Sequence, residues 1–187
     1  MTDEPAATFD PSECSGTLFD VRRSVRYHDR RLAHYERLHR LTSLVTILLA
    51  GVVLMEVTGA KSDFALGLKF LSAAGAILGA CDLVIGFARH ADLHRDLKRR
   101  FVGLEVQLLR GMSALDAECI RREIEADEPP IYAALDMLSY HELCAASGKT
   151  TGYALPTPFQ RLTANWFRWP DIGYSVVQLS KTGAKNE

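Results

Sequence analysis

Residues 41–88 read LTSLVTILLAGVVLMEVTGAKSDFALGLKFLSAAGAILGACDLVIGFA. Two apolar segments, Leu41–Val57 and Phe64–Ala88, are joined by the short polar turn TGAKSD. Charged residues are sparse within this stretch, whereas the sequence on both outer sides is rich in arginine. Because both segments are apolar on all faces and not on one stripe, they are typical of helices that lie in lipid. We therefore predict a transmembrane helical hairpin.

The lengths and flanks of the two segments define the predicted topology. Leu41–Val57 would be about 26 Å long at 1.5 Å per residue, close to the lower limit for crossing a hydrocarbon core of about 30 Å. Phe64–Ala88 is longer. Arginine and lysine residues precede the first span and follow the second, whereas the turn between them contains Lys61 alone. By the positive-inside rule, both termini are expected in the cytoplasm.

The composition narrows the class of protein further. The N-terminal sequence MTDEPAATFD is acidic and does not resemble a cleaved signal peptide, so the first span would act as an uncleaved anchor. The four cysteines are scattered without CxxC spacing, which indicates neither a disulfide framework nor a zinc site. A soluble protein can also bury apolar segments of this size. A soluble all-helical oligomer is therefore an alternative to the membrane hairpin.

Helical patterns continue on both sides of the hairpin. From Thr17, apolar and aromatic residues recur at spacings of three and four and run into Leu41 without Pro or Gly, which predicts one continuous helix. A similar pattern continues after Ala88 and is expected to end at Gly111. Two helices that leave a membrane side by side would pair as an antiparallel cytosolic bundle. The predicted fold class is all-α, a two-span transmembrane helical hairpin with long cytosolic helical extensions.

The rest of the chain is predicted to be helical as far as Gly148 and then irregular. Ser113 with Asp116 predicts a helix start, and Pro129-Pro130 predicts another. The predicted regions are a flexible N-terminal tail (1–16), a long helical hairpin (17–111) that includes the spans 41–57 and 64–88, a cytosolic helical region (112–148), and a C-terminal loop with a short aromatic amphipathic segment (149–187).

Small and polar residues form a stripe along the second predicted span. At 100° per residue, five positions fall within an arc of roughly 80°. They are Ser72, Gly75, Gly79, Asp82 and Gly86. The spacing of Gly75 and Gly79 permits the close backbone approach by which helices associate in lipid. We interpret this glycine stripe as a surface for helix packing or for lining a pore.

Asp82 is the acidic member of the glycine stripe. A carboxylate at membrane depth costs about 3 kcal/mol on insertion scales, so it should face protein or water and not lipid. Two interpretations follow. Asp82 lines a pore, or it makes a structural hydrogen bond to Thr42, Ser43 or Thr46 near the same end of the first span.

Two further sets of residues are candidates for a role at the membrane. Glu56 and Lys69 both lie toward the outer end of the hairpin and are expected to form an ion pair there. The segment Pro158–Trp169 predicts an interfacial amphipathic helix with arginines available to lipid phosphates. Packing against the cytosolic helices is the alternative. The apolar side of this segment is formed by Phe159, Leu162, Trp166 and Trp169.

The sequence contains no recognisable catalytic constellation. His90 and His94 have the spacing that a metal can bridge on a helix, but no third ligand is indicated. Residues 147–151 resemble the end of a phosphate-binding loop, yet Leu143 occupies the position of the required glycine and a helix precedes it. We therefore predict no enzyme activity, no catalytic residues, no metal and no cofactor, and we expect no nucleic-acid partner.

The order of these elements resembles a known family. A long cytosolic helix, a two-span hairpin and a continuing helix are followed by the segment Ile124–Leu143, IEADEPPIYAALDMLSYHEL. This arrangement, over Leu18 to Gly148, resembles the SLATT superfamily of bacterial two-transmembrane effectors. The resemblance implies an effector of antiphage or conflict signalling that assembles in the inner membrane and breaches it.

The expected function follows from the hairpin together with this resemblance. We expect an oligomeric inner-membrane protein, pore-forming or membrane-disrupting, with the lipid bilayer and further copies of itself as partners. Since the chain contains no recognisable sensory domain, its trigger would be a signalling partner protein or a nucleotide second messenger. A membrane-anchored helical scaffold or regulator without a pore is the alternative.

Overall fold

The computed structural model describes residues 16–57, 65–148 and 155–169 of the chain. Within these ranges the chain forms helices and no strand, which confirms the all-α prediction. The helices are α1 (Thr17–Val57), α2 (Ala65–Ile85), α3 (Phe87–Leu109), α4 (Ala114–Ala126), α5 (Ala133–Ala146) and α6 (Pro158–Thr163). The predicted tail and the turn between the two apolar segments lie outside the described residues.

Helix α1 is one continuous helix of 41 residues. It begins at Thr17, as the sequence pattern predicts, and passes without interruption from the arginine-rich part into the apolar part. No proline lies within it, and its first glycine, Gly51, occurs near its end. The arginine-rich segment and the apolar segment therefore lie on one unbroken helix.

The second predicted helix is not continuous, and this corrects the sequence analysis. It is divided at Gly86, which has a φ of +68°, into α2 and α3. Backbone hydrogen bonds continue on both sides, because Gly86 N donates to Asp82 O at 2.8 Å and His90 N donates to Gly86 O at 3.1 Å. A left-handed residue of any other type would cost about 1–2 kcal/mol. Gly86 thus ends a helix, whereas its sequence spacing had suggested only a packing position.

Local signals account for most of the remaining helix ends. Ser113 caps α4 by accepting a hydrogen bond from Asp116 N, and Gly111 follows α3 with a φ of +97°. Helix α5 begins at Ala133, three residues after the prolines that were predicted to open it. Glu128 and Pro129 each precede a proline and are driven toward extended conformations. Tyr132, the residue before the helix, is also extended, with a φ of −93° and a ψ of 105°.

The chain divides into two compact units. Unit 1 comprises Met1–His28 and Leu97–Glu187, and unit 2 comprises Asp29–Asp96. The core of unit 1 contains Phe101, Leu97 and Leu104 from α3 together with Leu135 from α5. Helices α1 and α3 each contribute residues to both units.

Unit 1 also holds polar groups inside its core. The His28 side chain is 1% exposed, and its Nε2 lies 3.0 Å from Glu128 Oε1. The imidazole is stacked on Phe101 with ring centroids 5.5 Å apart. Tyr27 accepts a hydrogen bond from Tyr132 N at 3.1 Å, so the linker before α5 is fastened to α1. These contacts join α1, α3 and the segment between α4 and α5.

In unit 2 the contacts show an antiparallel pairing. In order along α1, Glu36 is paired with Arg95, His39 is paired with Asp82, and Leu49 packs against Gly75. The partners therefore follow α3 and α2 in the reverse direction, as in a helical hairpin.

One helical run among the described residues is long and apolar enough to cross a membrane by length and composition. This run, Lys69–Leu109, includes an 18-residue window with a mean hydropathy of 1.9, of which 6% is buried. Leu41–Val57, the other predicted span, is not among the runs that meet these criteria, and the two-span arrangement is thus not confirmed. The side chains of Val52, Met55, Glu56 and Val57 lie outside the described set.

Candidate functional site

The glycine stripe of α2 lies against α1. Gly75 is buried, and a Cβ atom added to it would lie 2.8 Å from Leu49 Cβ and 2.9 Å from Leu49 Cδ1. Gly79 has more room, because its added Cβ would lie 3.7 Å from Thr46 Cγ2. A groove of about 360 Å³ runs between the two helices and includes Ser72 in its wall. The stripe therefore packs the two helices of one chain against each other.

Asp82 faces α1 through a partner that the sequence analysis missed. Its Oδ2 lies 3.3 Å from His39 Nδ1, whereas the expected partners were Thr42, Ser43 and Thr46. The hydroxyl of Thr42 donates instead to the backbone carbonyls of Leu38 and His39. Asp82 and His39 thus form a close acid–imidazole pair.

The Asp82–His39 pair is tight in distance but incomplete in hydrogen bonding. Asp82 Oδ1 and His39 Nδ1 are both buried atoms, and the residues described offer them no aligned hydrogen-bond partner. The imidazole is thus the polar group that α1 brings to this carboxylate within the apolar part of the chain.

A stack of rings formed by α1 and α3 lies about one helical turn before His39 along α1. Tyr35 of α1 is stacked on His90, with centroids 5.1 Å apart, and on His94, with centroids 5.7 Å apart. The Arg31 guanidinium lies over the Tyr35 ring at 4.7 Å. His90 and His94 thus share one helix face, as their spacing predicts, but that face holds an aromatic ring. Among the described residues no group of three His, Cys, Asp or Glu side chains could hold a metal ion.

Ion pairs link α1 and α3 beside the ring stack. Arg95 donates to Glu36 Oε1 at 2.9 Å and also to Asp92, and Arg40 donates to Glu36 Oε2 at 2.9 Å. The hydrogen bond from Arg95 lowers the pKa of Glu36, and Arg40 acts in the same direction. These residues and His39 line a cavity of about 340 Å³ that contains charges of both signs. Burial, together with Arg31 and Arg37, lowers the pKa of the nearby His34.

Unit 1 contains a cleft of about 400 Å³. Its walls include Arg22, Arg26, Glu105 and Leu143. Arg22 Nε donates to Glu105 Oε1 at 2.8 Å, so one arginine is already engaged within the cleft. On another face of this unit, burial raises the pKa of Asp136, although Arg23 lies 3.3 Å away and opposes this effect.

The remaining predicted site residues are only partly described. The Glu56 side chain lies outside the described set, so its pairing with Lys69, which is exposed, stays a prediction. In the aromatic segment, Phe159, Leu162 and Trp166 are exposed, whereas the Trp169 side chain packs against the unit 1 core.

The described parts of the chain therefore contain a seam of small and polar side chains between α1 and α2. The acid–imidazole pair and the glycine contact are its defining features. Comparison with known protein families, curated proteins and solved structures finds no match.

Proposed function

We propose that this protein is a non-enzymatic effector that inserts the α1–α2 hairpin into the bacterial inner membrane, assembles with further copies and makes the membrane permeable. The observation that carries the proposal is the outward face of α2. Leu83 and Val84 are each 85% exposed, and Ile77 is 63% exposed. Isolated exposed apolar residues are normal, but a continuous apolar helix surface of this kind requires lipid or another protein.

The distribution of polar groups on α2 supports the same placement. Asp82, Ser72 and the two glycines face α1, whereas the large exposed side chains of α2 beyond Lys69 are apolar. A bilayer imposes this arrangement, because a polar group that faces hydrocarbon has no hydrogen-bond partner. The arginine-rich sequence at the near ends of both helices would place both termini in the cytoplasm.

Permeability would arise where several hairpins meet. The groove between α1 and α2 contains the hydroxyls of Thr46 and Ser72, and Asp82 lies one turn below Gly79 on the same side of α2. These three residues are polar groups in the apolar stretch from which a water-filled path could be built. The resemblance to the SLATT superfamily supports an effector role triggered by a partner protein or a nucleotide second messenger.

A second candidate function is a membrane-anchored scaffold or regulator without a pore. The contact between Gly75 and Leu49 favours it, because the glycine stripe is then occupied within one chain and is not available to a neighbouring copy. In that case the hairpin would only anchor the cytosolic helices.

Two measurements test these functions in sequence. Alkaline extraction of membranes comes first, and full recovery of the protein in the soluble fraction without detergent would refute both membrane functions and favour a soluble oligomer. Dye release from reconstituted vesicles comes second. We expect release by the wild type and its loss in Asp82→Ala, with Cys81→Ala as the matched control because Cys81 is the adjacent exposed residue. Inserted wild-type protein that releases no dye would favour the scaffold.

A further inference from the structure

The last described segment of unit 1 presents an apolar surface to solvent. Phe159 is 63% exposed, Leu162 79%, Trp166 58% and Phe167 59%. The four large apolar side chains lie within nine residues of the chain, and a concentration of exposed apolar surface marks an interaction site. We call these four residues the aromatic surface. Phe167 is not among the residues that the sequence pattern predicts for this surface.

Helix capping and core packing fix the backbone of the segment to which the aromatic surface belongs. Thr157 caps α6 and Gln160 completes a capping box by accepting from Thr157 N at 2.8 Å. Ala164 is completely buried against the core cluster of Tyr27 and its neighbours. Order at these positions means that the exposed side chains are presented by a fixed backbone and would lose little entropy on binding.

Trp169 belongs to this support and not to the exposed surface. Its ring packs against the core cluster, and its Nε1 donates to Thr163 Oγ1 at 3.2 Å. It also makes an edge-to-face contact with Phe159, with ring centroids 5.8 Å apart. The two tryptophans of the chain therefore have opposite roles. Trp166 is 58% exposed, and Trp169 packs against the core cluster.

The charge of the segment identifies the kind of partner. Residues 155–169 contain two arginines and no acidic residue. Arg161 and Arg168 are both exposed, and Arg161 is oriented by donating from Nε to Pro156 O at 2.9 Å. Aromatic side chains next to cationic ones suit the boundary between anionic headgroups and acyl chains.

We infer that the aromatic surface binds the face of an anionic lipid bilayer, with Phe159, Leu162, Trp166 and Phe167 entering the headgroup boundary and Arg161 and Arg168 contacting phosphates. This inference rests on the proposed membrane location of the chain. It adds a second, peripheral contact that is chemically distinct from the hairpin. A peripheral contact of this kind depends on lipid charge, whereas insertion of an apolar hairpin does not.

The two tryptophans make a direct test in the full-length protein. Trp169→Phe leaves Trp166 as the single fluorophore, and Trp166→Phe leaves Trp169. Each variant is reconstituted in vesicles of phosphatidylglycerol and phosphatidylcholine that carry bromine on the upper acyl chain. We expect about a twofold loss of Trp166 emission, because interfacial side chains enter by about 5–10 Å, and a much smaller loss for Trp169.

Lipid charge and residue charge supply the controls. In vesicles of phosphatidylcholine alone, and after Arg161→Glu with Arg168→Glu, the quenching of Trp166 should fall to the level of Trp169. Equal quenching of both tryptophans, or quenching of Trp166 that ignores both changes, would overturn the inference. A blue shift of Trp166 without quenching by bromine would also overturn it and would indicate a protein partner or a second copy.

The test separates this inference from the proposed function. Protein that resists alkaline extraction but shows no quenching of Trp166 contradicts the aromatic surface alone. Protein that is removed by alkali but shows charge-dependent quenching of Trp166 contradicts the inserted hairpin alone. Leu162→Ser provides a milder variant, since Leu162 is 79% exposed and its replacement leaves the core of unit 1 unchanged.

Discussion

Gly75 and Gly79 are the two glycines of one GxxxG motif, yet we expect their replacement by alanine to have different effects on stability. A methyl group at Gly75 would lie 2.8 Å from Leu49 Cβ, an atom close to the backbone that cannot swing away. A methyl group at Gly79 would lie 3.7 Å from Thr46 Cγ2, which is ordinary van der Waals contact. Gly75→Ala should therefore push the two helices apart, whereas Gly79→Ala should not.

The magnitudes can be estimated from two opposing effects. Replacing glycine by alanine within a helix stabilises it by about 1 kcal/mol. Overpacking costs about 1–3 kcal/mol where the neighbours cannot give way. Gly79→Ala should then be stabilising by about 1 kcal/mol, and Gly75→Ala should range from neutral to destabilising by about 2 kcal/mol.

Thermal unfolding in detergent, followed by circular dichroism, measures this difference. A separation of about 1–3 kcal/mol between the two variants corresponds to roughly 3–10 °C in Tm for a chain of this size. Leu49→Gly removes the obstructing side chain, so the additional cost of Gly75→Ala should disappear in that background. A lower Tm for Gly79→Ala than for Gly75→Ala would refute the reasoning from the Leu49 contact.

Three further predictions concern the ionisable groups. His39→Ala should reduce membrane insertion, because it leaves Asp82 unpaired at a cost of about 3 kcal/mol. Adding Asp82→Asn should restore insertion. Equal alkaline extraction of the single and the double variant would contradict this prediction. His28→Ala should destabilise the fold by about 3 kcal/mol, since Glu128 then lies buried without its partner, and an unchanged Tm would show that the pair is not needed. Asp136→Asn should stabilise the protein at neutral pH, because burial raises the pKa of Asp136 and disfavours its ionised form. This gain in stability over the wild type should shrink as the pH falls through the raised pKa, because the wild-type carboxyl is then also neutral. A difference in Tm between the two proteins that stays constant with pH would contradict the reasoning.

Local signals in the sequence were sufficient to predict most helix ends. Thr17, Gly111 and Ser113 act through their own backbone and near neighbours, so their effect is readable without the tertiary structure. The left-handed conformation of Gly86 was not readable in this way. Glycine also suits a packing stripe, and the pattern does not distinguish the two uses.

The site shows a similar limit. Helical periodicity predicted that Gly75, Gly79 and Asp82 share a face, and it does not define the axial register of the opposite helix. A shift of one to two turns along α1 replaces Thr42, Ser43 or Thr46 by His39 as the partner of Asp82. Tyr35 was treated as an apolar seam residue, and only the structure brings its ring against His90 and His94.

The order of the two compact units along the chain has a practical consequence for engineering. Unit 2 is an uninterrupted insertion, residues 29–96, between the two parts of unit 1. His28, the last residue before the insertion, stacks on Phe101, one helical turn beyond its end. Packed helices lie about 8–10 Å apart, a gap that a glycine–serine loop of about 4–6 residues can close. Replacing residues 29–96 by such a loop would remove the apolar hairpin in a single step. The shortened chain would serve for crystallisation of unit 1 and for ligand screening in water.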